Sequence, residues 1–164
     1  MHFTKMEGLG NDYLYLDCTQ KRPEDLPQLA RVMSDRHFGV GGDGLICICP
    51  SQKADFFMEM YNADGSQGEM CGNGIRCVGK FVYDRGLISK TELSIETLAG
   101  IKELNLTRKD GKVTEVTVDM GRPIFESACQ LPVAGGCYTV YPVSMGNPHA
   151  VLYWQGIDGL DLPL

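Results

Sequence analysis

A cysteine in a glycine-rich turn is the residue best suited to chemistry in this sequence. Cys71 lies in Met70-Cys-Gly-Asn-Gly74 and precedes Ile75, Val78 and Val82, which repeat with the spacing of one helix face. This pattern predicts that a helix begins at Cys71. Unpaired backbone N–H groups and the positive end of the helix dipole favour a thiolate over a thiol at such a position. We therefore predict that Cys71 is the reactive group.

The glycines on either side of Asn73 suggest that the same turn binds an anion. Because Gly72 and Gly74 have no side chains, a carboxylate could approach the backbone N–H groups of residues 72–74 directly. A structural cysteine beside a tight turn is the commoner case in soluble proteins. Here the polar residues of the preceding turn, 62–66, exceed what a single helix cap needs. We favour a ligand site next to a reactive sulfur.

Three kinds of thiol chemistry are compatible with this position. An acyl-transfer nucleophile needs a nearby histidine, and the sequence has His2, His37 and His149. A redox thiol needs a second cysteine close by, but Cys77 is six positions along the helix and so lies on another face. Abstraction of an α-proton from an amino acid fits best, because N–H donors could stabilise the negative charge that develops on its carboxylate.

Three asparagines lie in turns at the ends of predicted strands. They are Asn11, Asn62 and Asn147. One asparagine in a turn is explained by backbone preferences alone, whereas three suggest amide groups that converge on a polar substrate. His149 follows in Gly146-Asn-Pro-His149. A loop histidine is usually bonded to backbone, but an adjacent imidazole is also a common means of adjusting the pKa of a thiol.

Composition restricts the class of protein. The 164 residues are 43% hydrophobic and 22% charged, which fits one well-packed folded domain or two very small ones. A net charge of -6 without a basic cluster argues against nucleic acid and anionic membranes as partners. No apolar run approaches the ~20 residues of a membrane span, and residues 1–5 lack the basic and then apolar order of a signal peptide. Seven cysteines without a C-x-x-C pair predict free thiols, no structural zinc and a cytoplasmic location.

Apolar periodicity predicts an α+β fold. It places strands at 2–6, 13–17, 45–49, 55–60, 93–97, 101–107, 113–120, 138–143 and 150–154, and a first helix from the cap at Asp25 to near His37. The alternating runs after residue 92 predict an antiparallel meander. The segment 39–44 matches the dinucleotide pattern G-x-G-x-x-G, but a helix precedes it and a strand follows, so we interpret it as a turn.

Five segments, taken together and in order, carry a family resemblance. They are 5–13, 38–44, 61–66, 70–77 and 146–149. In this order they resemble the motifs of diaminopimelate epimerases, isomerases of bacterial lysine and peptidoglycan-precursor biosynthesis that use no pyridoxal phosphate. The resemblance implies a curled, mostly antiparallel sheet wrapped around a central helix that starts near Cys71. Residues 1–164 would form a single N-terminal domain that ends in the crossover to a C-terminal domain.

The resemblance also implies roles for individual residues. The enzyme would interconvert LL- and meso-diaminopimelate by α-proton abstraction and reprotonation with two thiols and no cofactor. Cys71 would be one of the two catalytic cysteines, and His149 would modulate the pKa of the thiols. Substrate contacts are implied for Asn11, Gly44, Asn62, Gly72, Asn73 and Asn147. The family often has glutamine at the position of Gly44, so a contact there would be made by backbone.

The second cysteine of the family lies in a C-terminal half that this sequence lacks. No other cysteine here occupies a comparable cysteine-glycine turn. We therefore predict that the chain alone is inactive or nearly so and that the missing half is its partner. The tail, 159–164, has no helix cap or stop signal, which suggests a chain cut inside a larger architecture. A further hypothesis is a homodimer in which the two copies of Cys71 face each other.

Two alternatives remain open. One is another cofactor-independent amino-acid racemase of the same fold, such as a proline racemase. The other is a non-catalytic amino-acid-binding module, in which Cys71 would show no enhanced reactivity.

Overall fold

The chain divides into two compact units, Met1–Met120 and Gly121–Leu164. A computed structural model describes residues 2–133, 135–146 and 148–159, apart from the side chain of residue 158. The assignment of residues 1–164 to a single domain stays a prediction.

The first unit contains an eight-stranded mixed sheet. Its strands are β1 (Thr4–Gly8), β2 (Asn11–Asp17), β3 (Gly44–Cys49), β4 (Phe56–Asn62), β5 (Gln67–Gly68), β6 (Glu92–Thr97), β7 (Gly100–Lys109) and β8 (Lys112–Val118). Their order across the sheet is β1-β2-β3-β4-β6-β7-β8, and β5 pairs with β4. The pairs β2–β3 and β4–β6 are parallel, whereas the other pairs are antiparallel.

Two helices cover the two faces of this sheet. Helix α2 (Gly72–Asp84) packs against Tyr15 and Ile46, together with residues of β6 and β7. Helix α1 (Leu26–Ser34) packs against Leu14 and Leu45. Since successive side chains of a strand point to opposite faces, adjacent residues of β2 and β3 contribute to different apolar clusters. Because α2 contacts β1, β2, β7 and β8, the sheet curls around it.

The predicted α+β fold, a curled sheet around a central helix, is confirmed. The antiparallel meander is also confirmed as β6 to β8. Helix α1 ends at Ser34, earlier than predicted, because the Asp35 carboxylate accepts the N–H groups of His37 and Phe38 and closes a turn. The strands that sequence missed are β5, with two residues, and β9 (Ile124–Phe125) and β10 (Cys129–Val133) of the second unit.

The second unit is an antiparallel sheet. Strand β11 (Gly136–Ser144) pairs with β9, β10 and β12 (Pro148–Val151), and a 3₁₀ turn follows at Ile157–Gly159. Pro132 lies inside β10, and proline inside an apolar run argues against a strand, which explains why periodicity did not predict it. No helix in the described parts of either unit is long and apolar enough to cross a membrane.

The hairpin that joins β1 to β2 carries local backbone strain. Its two-residue loop has Leu9 at φ 56° and Gly10 at φ 82°, and the Leu9 side chain is 85% exposed. A leucine in the left-handed region costs about 1 kcal/mol or more, and no burial offsets this cost. We expect Leu9→Asn to raise the free energy of unfolding by about 1 kcal/mol, since asparagine tolerates this turn conformation. Urea denaturation measures the change.

Leu98 provides a matched control for that substitution. It takes the same position in the two-residue loop between β6 and β7, is 53% exposed and has no positive φ. Leu98→Asn should therefore not stabilise the protein. An equal gain at both positions would show that relief of exposed apolar surface, not backbone strain, explains the effect.

A candidate active site at the start of helix α2

Cys71 occupies the N-cap position of α2, as predicted. Its backbone is extended, with φ −132° and ψ 115°, and its carbonyl accepts the N–H of Ile75 at 2.9 Å. Its Sγ accepts the N–H of Gly74 at 3.3 Å, so the sulfur takes the place of the oxygen of an ordinary cap. Within the described residues, the N–H groups of Gly72 and Asn73 have no hydrogen-bond acceptor. These two donors are available to an anion beside the sulfur.

Close packing holds the Gly74 donor in place. A Cβ atom on Gly74 would lie 2.6 Å from Cδ1 of Ile46, so glycine lets the first turn of α2 approach β3 without displacing that methyl group. The Tyr15 hydroxyl donates to the Gly74 carbonyl oxygen at 3.3 Å from the neighbouring strand. The start of α2 is thus fixed against two strands of the sheet.

Asn11 contacts the sulfur directly. The Cys71 thiol donates to Oδ1 of Asn11 at 3.2 Å, although the two residues are 60 positions apart. On its other side, Nδ2 of Asn11 donates to Oδ2 of Asp43 at 2.7 Å. An ionised carboxylate can only accept, so this network assigns the amide with its nitrogen towards Asp43 and its oxygen towards Cys71.

A group of charged residues surrounds Asp43. Its Oδ2 also accepts the backbone N–H of Asp12 at 3.0 Å, and its Oδ1 accepts from Arg36 at 2.9 Å. Arg36 binds Asp12 through two further bonds of 2.7 and 3.1 Å, and Lys5 lies 3.0 Å from the same carboxylate. The Arg36 hydrogen bonds hold the pKa of Asp12 well below its usual range, although burial opposes this. These ion pairs join the start of β2 to the turn before β3.

Tyr13 is a site residue that the sequence analysis missed. Burial and, after it, the neighbouring Cys71 sulfur raise the pKa of Tyr13 to about 12, although a hydrogen bond with Asn11 opposes these effects. Its phenol therefore stays neutral at physiological pH beside the sulfur. Because Tyr13 is the first residue of an apolar run, periodicity assigns it to the core. Its place two residues after Asn11, hence on the same face of β2, was the available signal.

Asn62, Gly44 and Tyr13 form one row across strands β4, β3 and β2. Gly44 is buried, and a Cβ atom there would lie 2.1 Å from the carbonyl oxygen of Tyr61 and 2.8 Å from Cε1 of Tyr13. The Asn62 amide donates to Oγ of Ser66 at 3.0 Å across the following turn. The structure thus brings Asn62 and Gly44 together, and their contacts with a substrate stay predictions.

The remaining predicted site residues are placed differently. Oδ1 of Asn73 accepts from Arg76 at 2.6 Å, whereas its backbone N–H has no acceptor among the described residues. His149 lies on β12, where it pairs with Val143 in the second unit, and its side chain is exposed. Asn147 lies outside the described residues. The roles assigned to Asn147 and His149 stay predictions.

The other thiols have different surroundings. All seven cysteines are free. Cys77 is buried, which raises its pKa, and its thiol donates to the Glu7 carbonyl at 3.5 Å. Cys18, Cys47 and Cys49 belong to the apolar cluster under α1, while Cys129 and Cys137 are exposed in the second unit. In the described ranges, no group of three or more His, Cys, Asp or Glu residues could hold a metal ion.

Comparisons with known sequences identify close relatives. Residues 3–126 match a family model described as diaminopimelate epimerase. The chain is 49% identical over 176 residues to a diaminopimelate epimerase of Methanococcus maripaludis, an alignment that covers 99% of this chain and 63% of the relative. A diaminopimelate epimerase of Acetivibrio thermocellus is 51% identical over 172 residues. This alignment covers 96% of this chain and 61% of the relative. The chain thus spans less than two thirds of the length of these relatives.

Solved structures share the fold at low identity. A hydroxyproline epimerase from Agrobacterium vitis superposes with a TM-score of 0.70 at 17% identity. The superposition covers 92% of this chain and 50% of the hydroxyproline epimerase chain. A probable proline racemase from Agrobacterium radiobacter gives a TM-score of 0.72 at 16% identity, with 92% and 51% covered. In each case this chain matches about half of the larger protein.

Proposed function

Because the chain belongs to the diaminopimelate epimerase family, we propose that it supplies one catalytic thiol, Cys71, to an enzyme that interconverts LL- and meso-diaminopimelate. The observation that carries this proposal is the position of the Cys71 sulfur. It lies at the start of α2, beside the two backbone donors of Gly72 and Asn73 that have no acceptor in the described residues.

The proposed reaction begins with removal of the α-proton by the Cys71 thiolate. The electrons of the C–H bond move towards the substrate carboxylate, which gains negative charge. The N–H groups of Gly72 and Asn73 donate to that carboxylate and stabilise the charge as it develops. A second thiol then protonates the opposite face of the same carbon, which inverts the configuration. No pyridoxal phosphate is required.

The surroundings of Cys71 support alternation between base and acid. The N–H of Gly74, at 3.3 Å, stabilises the thiolate that removes a proton. Oδ1 of Asn11, at 3.2 Å, accepts the S–H of the thiol that results. Cys71 would act as a base in one direction of the reaction, which starts from the thiolate, and as an acid in the other, which starts from the thiol. It therefore needs a hydrogen-bonding partner in each of these two states.

We propose that the second thiol comes from a C-terminal half and that this chain alone is inactive or nearly so. The coverage of 61–63% of the relatives supports this, as does the absence of a second cysteine at a described helix start. In the same proposal, Asn11, Gly44, Asn62 and Asn147 contact the substrate and His149 modulates the pKa of the thiols. Pairing of two copies and a cytoplasmic location also remain predictions.

The test is to complete the chain. We define the completed chain as this chain joined to the C-terminal part of the Methanococcus maripaludis relative that lies beyond the alignment. Chiral chromatography would follow conversion of LL- to meso-diaminopimelate. We expect the completed chain to catalyse it and this chain alone to show no measurable rate.

Each other outcome has a definite meaning. A completed chain that is folded, yet inactive on diaminopimelate, would contradict the proposed function. Racemisation of proline by the completed chain, also followed by chiral chromatography, would favour the alternative that the chain belongs to another racemase of this fold. A measurable rate from this chain as a monomer would contradict its proposed incompleteness.

A further inference from the structure

A chain of contacts leads from Arg36 through Asp43 and Asn11 to the Cys71 sulfur. We propose that Asp43 is a positioning residue which locks the Asn11 amide, so that Oδ1 of Asn11 faces the Cys71 sulfur and accepts its S–H in the protein without ligand. This inference deepens the proposed function, since it rests on Cys71 as the reactive thiol. It also gives a role to Asp43 of segment 39–44, which the interpretation of that segment as a turn left without one.

The carboxylate of Asp43 allows only one orientation of the amide. Its Oδ2 accepts both Nδ2 of Asn11 and the backbone N–H of Asp12, at 2.7 and 3.0 Å. A flipped Asn11 amide would bring its oxygen to about the same distance from a negatively charged oxygen, and the two would repel. Arg36 binds the other oxygen of Asp43 at 2.9 Å and keeps the carboxylate from turning away.

The locked amide acts on the proton of Cys71. An amide oxygen at 3.2 Å can accept an S–H, but it offers a thiolate no donor and repels its charge. The Gly74 N–H, at 3.3 Å, is a donor and so stabilises the thiolate instead. The amide oxygen of Asn11 and the N–H of Gly74, which lie beside the sulfur together with the Tyr13 phenol, therefore oppose each other. If the amide turned, Nδ2 of Asn11 would face the sulfur. Asn11 and the Gly74 N–H would then both donate to the sulfur and stabilise the thiolate.

The side chain of Asp43 can be removed without removing the bonds that hold its loop. The backbone N–H of Asp43 donates to the Asp12 carbonyl at 2.6 Å, and its own carbonyl accepts from Ala63 at 3.0 Å. Both bonds are made by main-chain atoms, so they persist in Asp43→Ala. The carboxylate is thus separable from the path of the loop.

The test measures alkylation of Cys71 in this chain by iodoacetamide at pH 7, without substrate. Mass spectrometry of the peptide that contains Cys71 separates its rate from those of the exposed Cys129 and Cys137. We expect Asp43→Ala to speed this alkylation about threefold to tenfold, the size of one hydrogen bond. Asp17→Ala, which removes an exposed carboxylate at the far end of β2, should leave the rate unchanged.

A double-mutant cycle separates action through Asn11 from action through space. Asn11→Ala should itself speed alkylation, and adding Asp43→Ala in that background should change the rate by less than about twofold. A full effect of Asp43→Ala without Asn11 would mean that its charge acts directly, and the proposal would be wrong. So would an unchanged rate in Asp43→Ala.

Circular dichroism establishes that each variant is folded. If Asp43→Ala is not, Asp43→Asn replaces it in the cycle. Its amide can present either oxygen or nitrogen to Asn11, so it also releases the lock and should speed alkylation, again only when Asn11 is present. Because no substrate is used, this proposal can fail while the completed chain is an active epimerase. Equally, the completed chain can be inactive while Asp43 still positions the Asn11 amide.

Discussion

Replacing Cys71 by serine is expected to slow epimerisation by the completed chain about 10²- to 10⁴-fold, the usual contribution of a general acid–base group. A serine hydroxyl holds its proton far more tightly than a thiol at neutral pH, so it cannot act as the base. Serine is nevertheless a good N-cap, and its oxygen can accept the Gly74 N–H that the sulfur accepts at 3.3 Å. The loss should therefore come without loss of the fold.

Two measurements check this expectation. Chiral chromatography gives the rate of conversion, and denaturation by urea should show that Cys71→Ser is about as stable as the parent. Cys129→Ser, which changes an exposed thiol of the second unit, is the matched control and should keep the parent rate. If Cys71→Ser retained more than about a tenth of the rate, Cys71 would not be the base.

The second large effect is expected at Gly44, on the stability of the first unit. Gly44→Ala should lower the free energy of unfolding by about 3 kcal/mol, because the added Cβ meets the Tyr61 carbonyl oxygen at 2.1 Å and the ring of Tyr13 at 2.8 Å. The carbonyl is backbone of the paired strand β4, so it cannot move aside as a flexible side chain would. Urea denaturation measures the difference in the free energy of unfolding.

Gly72→Ala is the matched control in the same unit. The nearest atom to a Cβ there is Cε of Met120 at 3.6 Å, an ordinary contact with the end of a flexible side chain. Gly72 also lies in the first turn of α2, where alanine is a better helix former. We expect no loss of stability from this substitution. Equal losses in both variants would show that the packing around Gly44 is not as close as described.

Local patterns sufficed for much of the fold. The spacing of Ile75, Val78 and Val82 predicted α2 and its start at Cys71, because a helix repeats within a few residues. Alternation predicted β6 to β8, since hairpins join strands that are neighbours in sequence. The parallel pairs β2–β3 and β4–β6 were not predicted. They join segments separated by helices and loops, and alternation within one strand does not say which strand lies beside it.

The sequence by itself determined which residues start the helix, where most strands lie and, through five ordered motifs, which family the chain belongs to. The tertiary structure alone decided what surrounds the sulfur. Asn11, Tyr13 and Asp43 reach Cys71 or its neighbours only because β1, β2 and β3 pack beside the start of α2. The orientation of the Asn11 amide depends on donors and acceptors from three separate segments, so no local pattern could have predicted it.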